Sequence, residues 1–299
     1  MKVLYATDGF KPALQASQLL QRIGSKDRIE ITVMSVTHTG IPAPEHMPLM
    51  LDPLPSRRED TLGIVDAAVE KLLAAGFKAG GHTVEGHPGQ EIVRAVEEDW
   101  YDLIVMGGGR RSWLGNRLLG SVSTYVLHSS PWSVLIVHEA LSEGGEGRVL
   151  VGADGSRGSD FTISALARFA DPARTKIAVV SVVPPHSPLL FPDPGGAVHI
   201  PPEAVEQNQD IEKQMRNRAQ RQAEGAAAQL RDGGFEVEAH IATGSPTEEL
   251  LKEAESGDFD LVAVGSRGLG PFRRALLGSV SDHVVRHSRA ALVGRRLAA

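Results

Sequence analysis

The strongest constraint on this 299-residue chain is that it writes one pattern twice. Val3-Leu-Tyr-Ala-Thr-Asp8-Gly returns 146 residues later as Val149-Leu-Val-Gly-Ala-Asp154-Gly. Tyr101-Asp-Leu-Ile-Val-Met-Gly107 returns 158 residues later as Phe259-Asp-Leu-Val-Ala-Val-Gly265, and Gly86-His-Pro keeps the same spacing to Gly244-Ser-Pro. The hexapeptide LLGSVS stands at 118–123 and again at 276–281. The 12-residue change of spacing places an insertion in the second copy after Val182, where PPHSPLLFPDPGGAVHIPP reads as a long Pro- and Gly-rich loop. A repeat of this length is a whole domain. The expected units are 1–141 and 148–299, joined by a short flexible linker, SEGGEG, at 142–147.

Within each copy, short β-branched runs such as Ile29 to Val36 and Lys176 to Val183 read as buried strands. Helical patterns lie between them. Leu62, Val65, Val69, Leu72 and Leu73 recur at three- and four-residue steps, which assigns them to one helical face, and a long polar helix is expected near Glu203 to Leu230. Strand and helix in alternation predict an α/β fold with a parallel sheet covered on both faces, about five strands per copy. Each copy ends in an apolar edge strand, Ser133 to Val137 and Ala290 to Val293, a pairing hazard unless the two edges meet.

Composition narrows the function. With 41% hydrophobic and 23% charged residues the chain has enough apolar material for a sizeable core. A net charge of −6 provides no positive field for nucleic acid or anionic lipid. Cysteine is absent, which excludes disulfides, thiolate catalysis and cysteine metal sites. No run approaches the roughly 18 apolar residues of a membrane span, so the expectation is a cytoplasmic protein. No histidine pair has HExxH spacing, and no metal site is expected. Trp100, Trp113 and Trp132 are read as packing residues rather than base-stacking platforms.

In an open α/β sheet, ligands bind beyond the carboxyl ends of the strands, often beside a helix N-terminus that receives an anion. Two pieces of each copy fall there: the aspartate after strand one, Asp8 or Asp154, and the glycine-rich segment after strand four. In copy two that segment runs from Gly265 through Gly268 to Gly278-Ser279-Val280-Ser281. Gly265 and Gly268 permit close backbone approach, and Gly278-Ser279 open a helix whose N–H groups, with the Ser279 and Ser281 hydroxyls, suit phosphate oxygens. A strand-end Asp-Gly also serves as a plain turn or helix cap, and that reading stands beside the ligand reading.

The spacing Gly, two residues, Gly, nine residues, Gly-Ser is the ATP-binding signature of the universal stress protein family, and Gly265, Gly268, Gly278 and Ser279 fit it at every position. The chain resembles a tandem universal stress protein over nearly all of both copies. That resemblance implies two Rossmann-like domains of the adenine nucleotide alpha hydrolase-like kind, packed as a pseudo-dimer, each a five-stranded parallel sheet with helices on both faces. It further implies an adenine site at Asp154 and the backbone of Val182, with the triphosphate held by Gly265, Gly268, Gly278, Ser279 and Val280, Ser281 being an addition. Magnesium or manganese would accompany the phosphates. Copy one carries the corresponding Asp8, Val36, Gly107, Gly120, Ser121 and Val122, but Arg110 stands where the second signature glycine belongs. ATP is therefore expected in copy two more firmly than in copy one.

Three functions follow. The first is an ATP-binding stress or signalling protein in which nucleotide acts as a ligand. The second is a dimerising interaction protein without nucleotide. The third is an enzyme, which the sequence disfavours: there is no Gly-Lys pair for a Walker loop, and Arg273 stands where a dinucleotide fingerprint needs its third glycine. Association of two chains into a homo-oligomer is expected on symmetry grounds.

Overall fold

The computed structural model describes residues 1–38, 58–109, 119–139, 145–185, 191–192, 198–199, 202–266 and 277–295. Gly268, Arg110, Trp113 and most of both proline-rich loops lie outside these residues. The first half contains β1 (Lys2–Ala6), α1 (Lys11–Ile23), β2 (Glu30–His38), α2 (Arg58–Ala74), β3 (Lys78–Gly86), α3 (Pro88–Asp99), β4 (Leu103–Gly107), α4 (Ser121–Ser129) and β5 (Ser133–Val137). The second contains β6 (Gly147–Gly152), α5 (Arg157–Phe169), β7 (Thr175–Val183), β8 (Phe191–Pro192), β9 (Val198–His199), α6 (Pro202–Asp232), β10 (Glu236–Thr243), α7 (Pro246–Ser256), β11 (Leu261–Gly265), α8 (Ser279–His287) and β12 (Ala290–Gly294).

All strands except the β8–β9 hairpin join one ten-stranded sheet in the order β10-β7-β6-β11-β12-β5-β4-β1-β2-β3. Every neighbouring pair is parallel but one, β5 with β12, which is antiparallel. The central strands are short apolar runs, LIVMG in β4 and SVLIV in β5, because helices cover both of their faces. Side chains of α1, α2, α5 and α6 share one core with one face of the sheet. Those of α3, α4, α7 and α8 form the second core on the opposite face.

The two free edges foreseen from sequence do meet, and they meet on a local twofold. Leu135 stands opposite Leu292 at its centre, flanked by Val134 with Val293 and Ile136 with Ala291. All six are buried. Below the sheet the symmetry is repeated in reciprocal contacts. Ser25 N–H donates to the Phe169 carbonyl at 2.9 Å, and Asp171 N–H donates to the Ile23 carbonyl at 2.7 Å. Arg22 at the end of α1 pairs with Asp260 of the other half at 3.4 Å, and Arg168 at the end of α5 pairs with Asp102 at 3.1 Å. Each aspartate also accepts an N–H near the start of its own half's first strand, Lys2 for Asp102 and Arg148 for Asp260.

Three sequence expectations need correction. Leu62 and Leu73 are 43% and 52% exposed. The buried stripe of α2 is Thr61, Val65, Ala68 and Leu72, and each exposed leucine follows a buried residue, about 100° round the helix from it. Gly147 is not linker but the first residue of β6, and a Cβ there would strike Ile23 across the seam. Trp100 is not a core residue: it is 61% exposed, caps the end of α3 in the left-handed region with φ of 57°, and packs only at the surface on Trp132, ring centroids 6.4 Å apart.

Candidate functional site

In each half the chain leaves strand one toward one side of the sheet and strand four toward the other, so a crevice opens between their carboxyl ends. In the second half this lies between β6 and β11. Register fixes what stands there. Gly152 is opposite Val180, and Ala153 N–H donates to the Val180 carbonyl at 2.9 Å, which brings Asp154 level with Val182. The first half repeats it: Ala6 is opposite Met34, and Asp8 is level with Val36.

Asp154 is held as a turn. Its Oδ1 accepts the Ser156 N–H at 2.9 Å, and the Ser156 hydroxyl caps α5 by accepting from Ser159 N–H. Among the described residues its Oδ2 has no partner. Gly155 between them has φ of +70°, which an L side chain rarely adopts. Asp8 behaves alike, accepting from Phe10 N–H at 3.0 Å, but it is exposed where Asp154 is half-buried. The turn reading and the ligand reading of these aspartates are thus compatible, since capping uses one oxygen.

Gly265 ends β11 against the first turn of α5. A Cβ on it would lie 2.6 Å from the Gly158 carbonyl carbon and 2.7 Å from Ser159 N, and Gly107 is crowded in the same way by Pro12 and Ala13. Packing of strand on helix alone therefore requires glycine at both positions. Gly278 is the N-cap of α8, and its N–H donates to the Ser266 carbonyl at 2.9 Å. The first N–H to find a helical acceptor is that of Asp282, on the Gly278 carbonyl, so the three amides of Ser279, Val280 and Ser281 have none within the helix. These amides, with the positive end of the helix dipole, suit an anion. Gly120, Ser121, Val122 and Ser123 reproduce the arrangement at α4.

The two serines of the repeated GSVS separate in role. Ser279 is exposed at the helix mouth, as is Ser121. Ser281 is buried, and its hydroxyl is placed 3.1 Å from the Ser266 carbonyl and 2.9 Å from that of Gly278. Ser123 likewise donates to the Gly107 carbonyl. Ser281 is thus turned inward, away from the phosphate role expected for it. Val182 and Val280 are half-buried against the second core.

The chain matches the Universal stress protein family over residues 1–138 and again over 147–293. It belongs to that family. A universal stress protein of Mycolicibacterium smegmatis is 28% identical over 287 residues, covering 94% of this chain and 92% of its own length. One from Mycobacterium tuberculosis strain H37Rv is 26% identical over 295 residues, with 94% and 93% covered. The fold is that of a universal stress protein crystal structure from Archaeoglobus fulgidus, with a TM-score of 0.58 at 23% identity and 99% and 98% of the two chains covered.

Sequence reasoning on this universal stress protein missed one contributor to the crevice. Gln222 of α6 donates from Nε2 to the Asp154 backbone carbonyl at 2.7 Å, and its Oε1 accepts the Ser181 hydroxyl at 3.3 Å. The repeat offers the signal that finds it: 158 residues earlier the position is Ile64, whose methyl carbons pack on Gly9 as Gln222 packs on Gly155. Among the described residues no group of three or more His, Asp or Glu side chains is placed to hold a metal ion, and no helix is long and apolar enough to cross a membrane.

Proposed function

We propose that this universal stress protein is an ATP receptor, with the second half as the nucleotide-binding domain. Asp154 and the Val182 backbone meet the adenosine end, and the α8 N-terminus with Gly265, Gly268, Gly278, Ser279 and Val280 meets the phosphates. The observation that carries the reading is the set of three amides at Ser279, Val280 and Ser281, without helical acceptors and one crevice away from a half-buried Asp154. With no cage of protein ligands among the described residues, magnesium or manganese would arrive on the phosphates themselves. ATP acts as a ligand that stabilises one state of the protein by binding it. Rapid turnover is not part of this reading, because the chain lacks a Gly-Lys pair for a Walker loop.

A second reading applies to the first half. Arg110 replaces the signature glycine and Ile64 replaces Gln222, which supports a first half that does not take nucleotide and is left to act as an interaction scaffold. Calorimetric titration of the nucleotide-stripped chain with ATP and magnesium, beside a Gly268→Arg variant, tests both readings. One site per chain, lost in the variant, is the expected result. Two sites, one of them surviving the substitution, would make both halves receptors; a single site that survives would overturn the assignment to the second half, and silence of the unaltered chain would sink the ATP reading.

A further inference from the structure

We infer that Gln222 is the positioning residue that makes the adenosine side of the copy-two crevice competent and distinguishes it from copy one. The inference rests on the reading that copy two takes ATP.

The geometry is a chain of three hydrogen bonds across three elements. From β7, the buried Ser181 hydroxyl donates to Gln222 Oε1 at 3.3 Å. On α6, Gln222 Nε2 donates to the Asp154 carbonyl at 2.7 Å. In the turn after β6, Asp154 Oδ1 accepts from Ser156 N–H at 2.9 Å. The Asp154 carbonyl can only accept, so the amide faces one way, with its nitrogen toward Asp154 and its oxygen toward the Ser181 hydroxyl. Ser181 is the residue before Val182, and Asp154 is level with Val182 across the β6–β7 pair. Beyond the last ladder bond of that pair, Gln222 therefore adds a tie between the two segments expected to read an adenine edge. Gly155 completes the fit, since a Cβ there would lie 2.7 Å from Gln222 Nε2.

Copy one removes one link and keeps the rest. Ser35 is buried at the position of Ser181, and Gly9 has φ of +76° at the position of Gly155. Ile64 stands where the amide should be, and a hydrocarbon neither donates nor accepts. Its Cδ1 and Cγ1 lie 3.0 Å from where a Gly9 Cβ would stand, so the space is filled, and the turn keeps its own bonds from Gly9 N–H to Thr7 and Phe10 N–H to Asp8 but receives none from the Ile64 side chain. Asp8 is correspondingly more exposed than Asp154. The second half thus holds its recognition groups in place before the ligand arrives, which lowers the ordering cost of binding.

The test uses the full nucleotide-stripped chain and two variants, Gln222→Ile, which writes copy one's residue into copy two, and Gln222→Met, unbranched in case the first packs badly. ATP affinity is measured by calorimetry. Inorganic tripolyphosphate, which reaches only the helix mouth, is measured by displacement of a fluorescent ATP analogue. Loss of one positioning hydrogen bond predicts ATP binding roughly three- to tenfold weaker. Tripolyphosphate affinity stays within about twofold, and the ligand-free unfolding temperature is little changed. Unchanged ATP affinity in either folded variant overturns the inference while leaving the ATP reading intact. Parallel weakening of ATP and tripolyphosphate also overturns it, by showing that Gln222 supports the fold at large. If the unaltered chain binds no ATP, both readings fall together.

Discussion

Ser279 and Ser281 stand two positions apart at one helix start and do opposite work. Replacing Ser281 with alanine removes a buried hydroxyl from the Ser266 and Gly278 carbonyls, and should cost roughly 1–3 kcal/mol in urea unfolding. Ser279→Ala should leave stability within about 0.5 kcal/mol, since the residue is exposed, while weakening ATP binding measured by calorimetry. The repeated GSVS names both residues but gives no direction for either hydroxyl. The direction comes from the carbonyl of Ser266, brought beneath the helix by the fold. Tyr5 makes a second prediction. Burial pushes its phenol up to about 12, with a hydrogen bond to Thr7 pulling down and the Asp8 carboxylate pushing up. An unfolded tyrosine ionises near 10, so between about pH 10 and 12 the unfolded state loses a proton that the folded state keeps. The resulting stability is whole below pH 10 and is lost as pH rises through that window, on the order of 2 kcal/mol. Urea midpoints of a Tyr5→Phe variant should lose that arm of the pH dependence.

Between elements, the reciprocal ion pairs are alike in pattern and unlike in weight. Arg22 and Asp260 have side chains 12% and 0% exposed, whereas Arg168 is 42% exposed. Asp260→Ala would remove the carboxylate beside a buried guanidinium, which keeps its bond to the Glu146 carbonyl, and would take the side-chain acceptor from the Arg148 N–H; it should cost about 3 kcal/mol. Arg168→Ala should cost about 1 kcal/mol or less, because water already screens it. Thermal unfolding of the two variants ranks them, and equal effects would contradict this account. Strand and helix identities were legible at this scale, because short β-branched runs and three- and four-residue apolar steps show in the sequence. The partners of charged ends were not. Nothing in the neighbourhood of Arg22 announces an aspartate far along the chain. A spacing of 158 residues also fails at the last strands: Gly107 pairs with Val137 and Gly265 with Gly294, so copy one holds one extra residue between Ser130 and Ser133. Simple repeat arithmetic carries no warning of that slip.

For the whole molecule, the sheet makes a prediction about the halves. Residues 1–141 alone would expose β5 along the Leu135 edge, now covered by β12. Expressed alone, this half should sediment as a dimer closed through β5, and Leu135→Lys should return it to monomer or to insolubility. A soluble monomer without that substitution would show that the seam contributes little. The overall architecture was readable because a repeated α/β unit with a matching apolar terminal edge has few ways to hide it. The difference between the two crevices was only half readable. Arg110 shows in the signature spacing, whereas Ile64 and Gln222, though matched by the 158-residue spacing, lie in helices with no signature, and their role shows only once both are seen packing on a glycine.

The Leu135–Leu292 dyad has a further meaning for how such a protein can change. In an assembly of two identical chains, any substitution appears on both sides of the axis at once, so a crevice can be altered only by altering its twin. Here the axis runs through a single gene product. One mouth can keep its glutamine while the other takes isoleucine, and the seam holding them together need not notice, because its own contacts lie at the strand edges and helix ends. Joining the copies end to end turned one inherited site into two that are free to drift apart.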